Sequence, residues 1–111
     1  MKTASAVLLA LFTAACGANH VSLQRLLADP GHYDGKTVVT TGQVKGSAGL
    51  LGYATYQLSD GTSQLTVVTN SGGAPSDNTR VEVKGKFHSA FRLGTKSLSV
   101  LEEEKRSPLG P

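Results

Sequence analysis

Chemistry in a protein begins with side chains that can donate, accept, attack or ligate. This chain of 111 residues carries one cysteine, Cys16, and three histidines, His20, His32 and His88. His32 and Asp34 are two apart, and His20 and His88 are isolated. With no second cysteine, this is not the spacing of a metal site. Asp29, Asp34, Asp60 and Asp77 all fall in turn-forming stretches, where Asp serves to cap backbone amides. Glu102-Glu103-Glu104 reads as part of a solvated, charged tail. No nucleophile stands with a base, and no pair of carboxylates is placed for acid–base work. The sequence therefore predicts a non-catalytic protein with no metal and no cofactor.

Cys16 closes the stretch FTAAC. Before it, Lys2 is the only charge, residues 6–12 (AVLLALF) are apolar, and Thr13-Ala14-Ala15 are small. A charged start, a short apolar run and small residues make a secretory signal. The run is well short of the roughly 18–20 apolar residues a membrane-spanning helix needs. Ala14-Ala15-Cys16 resembles the lipobox of bacterial lipoproteins, with Thr13 where Leu is usual. The resemblance implies cleavage before Cys16, a lipid on its thiol, and anchoring on the periplasmic side of the cell envelope. The expected division is a signal peptide at 1–15, a tether at 16–20, one domain at 21–106 and a disordered tail at 107–111. Removing 1–15 leaves 96 residues, and losing Lys2 lowers the net charge from +3 to +2. That is too mild for an electrostatic nucleic-acid footprint.

The domain itself must position any binding residues. Residues 21–28 (VSLQRLLA) carry an apolar helical stripe with Ser22 as cap, stopped by Asp29-Pro30-Gly31. The period then changes to two. Strands are expected at 36–44, 53–59, 64–69, 80–88 and 96–101, with Asp60-Gly61 turning a hairpin between the second and third. The alternation points Val38, Thr40, Gly42 and Val44 inward on the first strand. It does the same for Tyr56 and Leu58, for Val81, Val83, Gly85 and Phe87, and for Leu98 and Val100. Residues 45–52 read as a Gly-rich loop, 70–79 as a surface loop and 102–111 as a frayed tail. Five short strands bury this apolar set best as a closed barrel, with a flat sheet packed on the helix as the competitor. Mid-strand Gly42 and Gly85 favour curvature and closure.

Several motifs resemble exported bacterial OB-fold domains of the anticodon-binding-like group, mostly of unassigned function. They are Leu26-Leu27-Ala28-Asp29-Pro30, His32-Tyr33-Asp34-Gly35-Lys36, Val38 with Gly42 and Val44, Tyr56-Gln57-Leu58-Ser59-Asp60-Gly61-Thr62, and Arg80-Val81-Glu82-Val83-Lys84-Gly85-Lys86. The resemblance implies an all-β, five-stranded OB barrel with a short N-terminal helix. The helix such domains place between the third and fourth strands is replaced by the 70–79 loop, and the 21–28 helix is expected to cover that end. OB sites use the outer face of strands two and three and two flanking loops, here 45–52 and 89–95. The candidate ligand-binding residues are Lys45, Leu50, Leu51, Tyr53, Lys84, Lys86, Phe91, Arg92 and Lys96. Leu50 and Leu51 either form a contact patch or fold back onto the barrel mouth. Tyr53 and Phe91 are the aromatics placed to stack bases. The expected function is a lipid-anchored binding module for an envelope protein or small ligand. An oligonucleotide or polyanion ligand is the alternative.

Overall fold

The computed structural model describes residues 19–50, 53–70, 73–93 and 95–109. Residues 1–18, with the expected signal peptide and Cys16, and Leu51 lie outside them. The element order is β1 (Asn19–His20), α1 (Leu23–Ala28), α2 (Pro30–Tyr33), β2 (Thr37–Leu50), β3 (Tyr53–Ser59), β4 (Gln64–Thr69), β5 (Arg80–Leu93) and β6 (Lys96–Pro108).

Strands β2, β3, β4, β6 and β5 follow one another around a ring, which closes where β5 pairs with β2. All pairings in the ring are antiparallel except β4 with β6. β2 makes closure possible because it serves two neighbours in turn. Its residues 37–43 pair with β5 and its residues 43–50 with β3, so Gln43 is flanked by Arg80 on one side and Ser59 on the other. On β2, β3 and β5 the inward face is the one the alternation picks out; on β6 the expectation is corrected, because Leu101 rather than Leu98 or Val100 joins the core. Val38, Val44, Tyr56, Leu58, Val83 and Phe87 are all buried, so the barrel encloses one apolar core.

Three strands run longer than their composition suggests. The Gly-rich segment expected as a loop at 45–52 continues β2 through Leu50. A bulge at Gly46 (φ 75°) absorbs one residue and keeps the ladder with β3 in register. Strand β5 runs on through the segment expected as a loop at 89–95, as far as Leu93. The expected frayed tail is corrected in the same way: β6 reaches Pro108, and Leu109 N donates to Arg80 O at 2.9 Å. Ser107 and Pro108, assigned to a disordered tail, are therefore part of the ladder with β5, opposite Glu82 and Val81.

Ser22 caps α1, its hydroxyl accepting from Arg25 N at 3.2 Å. Leu23 and Leu26 enter the core, and burying each stabilises by about 1.5–3 kcal/mol over leaving it exposed. Pro30 does not end helical structure. It occupies the first turn of α2, where its missing N–H costs nothing. Asn19–His20, expected as tether, forms β1 beside Val38–Val39.

The helices stand where β2 begins, held by Val21 N to Val39 O at 2.9 Å and Gly35 N to Phe87 O at 2.7 Å. The 70–79 loop enters β5 at Arg80, seven residues along the strand. There Ala74 packs on the core, and the chain is tied to β2 by Val44 N to Thr79 O at 2.8 Å and Asn78 N to Val44 O at 2.7 Å.

Candidate ligand-binding surface

The strand register sets the side chains opposite the core face into rows across the barrel. In one row Arg80 of β5, Gln43 of β2, Ser59 of β3 and Gln64 of β4 are successive partners. Two residues further along β2, a second row runs through Lys45, Gln57 of β3, Thr66 of β4, Val100 of β6 and His88 of β5. Every member but Val100 carries a hydrogen-bonding side chain, and Val100 and Ser59 are buried. Three are glutamines, whose amides offer a donor and an acceptor together.

Local bonds hold these groups in place. Gln57 Nε2 donates to Thr66 Oγ1 at 2.8 Å, which leaves the Gln57 carbonyl and the Thr66 hydroxyl proton facing outward. Lys45 Nζ donates to Asn78 Oδ1 at 2.8 Å, and Gln43 Nε2 to Asn78 O at 3.1 Å. Asn78 reaches both from a left-handed turn (φ 68°). His88 Nε2 is 2.9 Å from Glu102 Oε1, and the Phe91 ring lies against the His88 ring with centroids 5.2 Å apart. Asp34 Oδ1 accepts from Ser89 N at 2.7 Å and from Ser89 Oγ at 3.0 Å. Those two bonds, the backbone one first, hold the Asp34 carboxyl below its ordinary range.

The sequence-predicted residues divide on this surface. Lys45 belongs to the second row. Tyr53 shares the outward face of β3 with Gln57 and pairs in register with Leu50, while Leu51 lies outside the described residues. Phe91 borders the far end of the second row through His88. Arg92, opposite Ser97, and Lys96, opposite Leu93, stand at the tip of the β5–β6 hairpin. Lys84 and Lys86 stand elsewhere. Lys84 lies between Val39 and Lys105, and Lys86 between Thr37 and Glu102. Lys84 pairs with a residue six before Lys45 on β2, about 20 Å along the strand. The candidate basic residues Lys45, Lys84, Lys86, Arg92 and Lys96 therefore do not form one patch.

Sequence reasoning missed Gln43, Gln57, Gln64, Thr66 and Arg80. Only the register shows that they align.

The barrel interior is polar at the end of β4. Tyr56 Oη donates to Glu103 Oε1 at 2.6 Å, Thr69 Oγ1 donates to Glu103 Oε2 at 3.3 Å, and Arg106 pairs with Glu103 at 3.1 Å. The Arg106 guanidinium also sits 5.8 Å from the Tyr56 ring centre. Burial first, and then the Glu103 carboxylate, push the Tyr56 phenol far above its ordinary range. Among the described residues no three His, Cys, Asp or Glu side chains stand together as a metal-binding group.

No family model and no curated protein matches the chain. Solved structures do. The chain is similar to an aspartyl-tRNA synthetase from Entamoeba histolytica, at 11% identity and TM-score 0.62, over 84% of this chain and 21% of that one. It is also similar to asparaginyl-tRNA synthetase from Pyrococcus horikoshii, at 19% identity and TM-score 0.57, over 70% of this chain and 20% of that one. A third likeness is to OBody NL8 bound to hen egg-white lysozyme, at 19% identity and TM-score 0.55, over 69% of this chain and 97% of that one. The fold is an OB fold. The chain spans about a fifth of the length of the synthetase chains it resembles.

Proposed function

We propose that this OB domain is a non-catalytic binding module that takes a single-stranded oligonucleotide across the two outward rows. The observation that carries the reading is the alignment of Arg80, Gln43, Ser59 and Gln64 beside Lys45, Gln57 and Thr66. Amide and hydroxyl groups in such rows suit the edges of unpaired bases, while Tyr53 and Phe91 at the borders offer ring faces for stacking. With Lys45 and Arg80 as the cations, backbone attraction is weak, and affinity rests on contacts to bases. The likeness to two proteins that act on tRNA supports the reading as an analogy of fold.

Fluorescence anisotropy with labelled single-stranded hexamers at low and physiological salt tests it. Binding is expected at low salt, with a shallow salt slope of about one to two ions. Gln57→Ala and Lys45→Ala should each weaken it. Absence of binding at low salt overturns the reading.

A second reading gives the same face a protein partner in the cell envelope. FTAAC favours it, because an exported, lipid-anchored domain meets little nucleic acid. OBody NL8, a chain of similar fold, is bound to a protein. Fatty-acid labelling that marks wild type but not Cys16→Ala would support the address. Capture of the same partners by wild type and by a Gln57→Ala/Lys45→Ala variant would sink this use of the face.

A further inference from the structure

A groove of about 330 Å³ opens along the first row. Thr41, Gln43 and Ser59 line it between Arg80 on one wall and the Asp60-Gly61 turn on the other. Much of the hydrogen-bonding capacity around it is already spent. Gln43 Nε2 is committed to Asn78 O. Ser59 Oγ accepts from Gly61 N at 3.1 Å, which leaves its proton to give. Asp60 Oδ1 accepts from Thr62 N, Thr62 Oγ1 and Ser63 N.

Two strong groups are left over. Arg80 has no ion pair among the described residues, and its guanidinium is a planar fork of donors. Asp60 keeps its second carboxylate oxygen. Both face one groove without meeting each other. This pairing restricts the ligand. A bare phosphate satisfies Arg80 but is repelled by Asp60. An ammonium group has the opposite fault, and an apolar ligand leaves both unmatched. The matching ligand is planar and neutral, with two acceptors on one edge and donors on the next. Guanine has this pattern: O6 and N7 accept, and N1–H and the N2 amino group donate.

We infer that the groove is a guanine subsite, in which the Arg80 fork donates to O6 and N7 and Asp60 accepts from N1–H and N2–H. Thr41, Gln43 and Ser59 supply the polar floor. The inference rests on the oligonucleotide reading and deepens it. The groove lies two residues, about 7 Å, along β2 from the Lys45–Gln57 row. A strand lying on that row thus places a neighbouring base within reach.

The test uses hexamers identical except at one position, which carries guanine, 7-deazaguanine, adenine, cytosine or thymine. Wild type is expected to prefer guanine about tenfold. Arg80→Gln should remove the discrimination against 7-deazaguanine, which lacks the N7 acceptor. Asp60→Asn, which can still cap its own turn, should bring guanine down towards the level of the other bases. Asp60→Asn should bind the guanine-free hexamers as wild type does, Arg80→Gln should weaken all of them by one common factor as a lost cation does, and both variants should melt like wild type. Equal binding of all hexamers by wild type overturns the guanine inference and leaves the oligonucleotide reading standing, as does an unchanged guanine preference in both variants. No binding of any hexamer overturns both. A second measurement is independent of strand binding: GMP, but neither AMP nor inorganic phosphate, should shift the Gly61 and Gln43 amide resonances. Equal shifts with phosphate alone overturn the base assignment.

Discussion

The Tyr56 hydroxyl donates to Glu103 Oε1 at 2.6 Å, joining β3 to β6 through the barrel interior. Arg106 neutralises the same carboxylate at 3.1 Å. Glu103 keeps only 5% of its side chain exposed, whereas Arg106 keeps 21%. Removing the carboxylate by Glu103→Gln leaves a cation partly desolvated, at an expected cost of about 2–3 kcal/mol. That is below the figure for a fully buried pair, because water still reaches Arg106. Tyr56→Phe should cost about 1–2 kcal/mol. Urea melts of the two single variants and the double variant should show a clearly non-additive pair.

The same bond predicts a response to alkali. The folded-state pKa of Tyr56 is raised, so folding favours its protonated form. Its contribution to stability is complete below the ordinary tyrosine value of 10.0 and is lost as pH rises above that. Ionisation of Tyr56, isolated as the difference in ultraviolet absorbance between wild type and Tyr56→Phe, should coincide with loss of β-sheet circular dichroism. Ionisation at pH 10 with the sheet intact would contradict the buried bond.

Thr40 points into the barrel with 1% exposure, and its hydroxyl has no hydrogen-bond partner among the described residues. A valine of nearly the same shape avoids burying that group unpaired. Thr40→Val should therefore stabilise the domain by about 1 kcal/mol, read as a higher melting temperature. Unchanged or lower stability would mean that the hydroxyl is satisfied in solution.

Gly85 and Gly42 face the interior where neighbouring strands crowd them. A methyl group at Gly85 would run into the Glu102 carbonyl, which is backbone and cannot swing away. At Gly42 it would meet Leu58 Cγ at 2.8 Å and the Ser59 carbonyl at 2.9 Å. Both alanine variants should destabilise, Gly85→Ala by about 3 kcal/mol and Gly42→Ala by less, because Leu58 can change rotamer. The reverse order in thermal melts would place the tight strand crossing at β2.

Asp34 fastens the start of the β5–β6 hairpin by its two bonds to Ser89. Its folded-state pKa is lowered, so its contribution is present above the ordinary value of 3.8 and is lost as pH falls through the lower folded value. Asp34→Ala should speed exchange of the Ser89 amide proton near neutral pH and leave the Val38 amide unchanged. Equal protection of Ser89 in both proteins would show that the hairpin holds without the latch.

The inward pattern of β2, β3 and β5 was legible because it needs only period two: Val38, Val44, Tyr56, Leu58, Val83 and Phe87 stand where alternation put them, whereas on β6 Leu101 took the core place expected for Leu98 and Val100. Strand length was not legible, for two physical reasons. Residues 45–50 are small and flexible, and only pairing with β3 makes them strand. Residues 102–108 are charged and read as solvated. Yet Glu103 turns inward, which makes sense only once Tyr56 and Arg106 are seen beside it. The candidate surface suffered most, since its rows draw on all five barrel strands and their alignment is a matter of register. Lys45 and Tyr53 were found from their loop position. Lys84 and Lys86 were chosen for charge alone and fall on the side where β5 meets β2 and β6.

β1 also changes what an anchor at Cys16 would mean. The ladder with β2 begins at Asn19, so a lipid on Cys16 would stand three residue steps from the barrel, a reach of about 10 Å. On so short a leash the domain could neither sweep a volume nor reach across the periplasm. It would rest against the bilayer with its tilt set by β1, and headgroups would form one wall of whatever space its ligand enters.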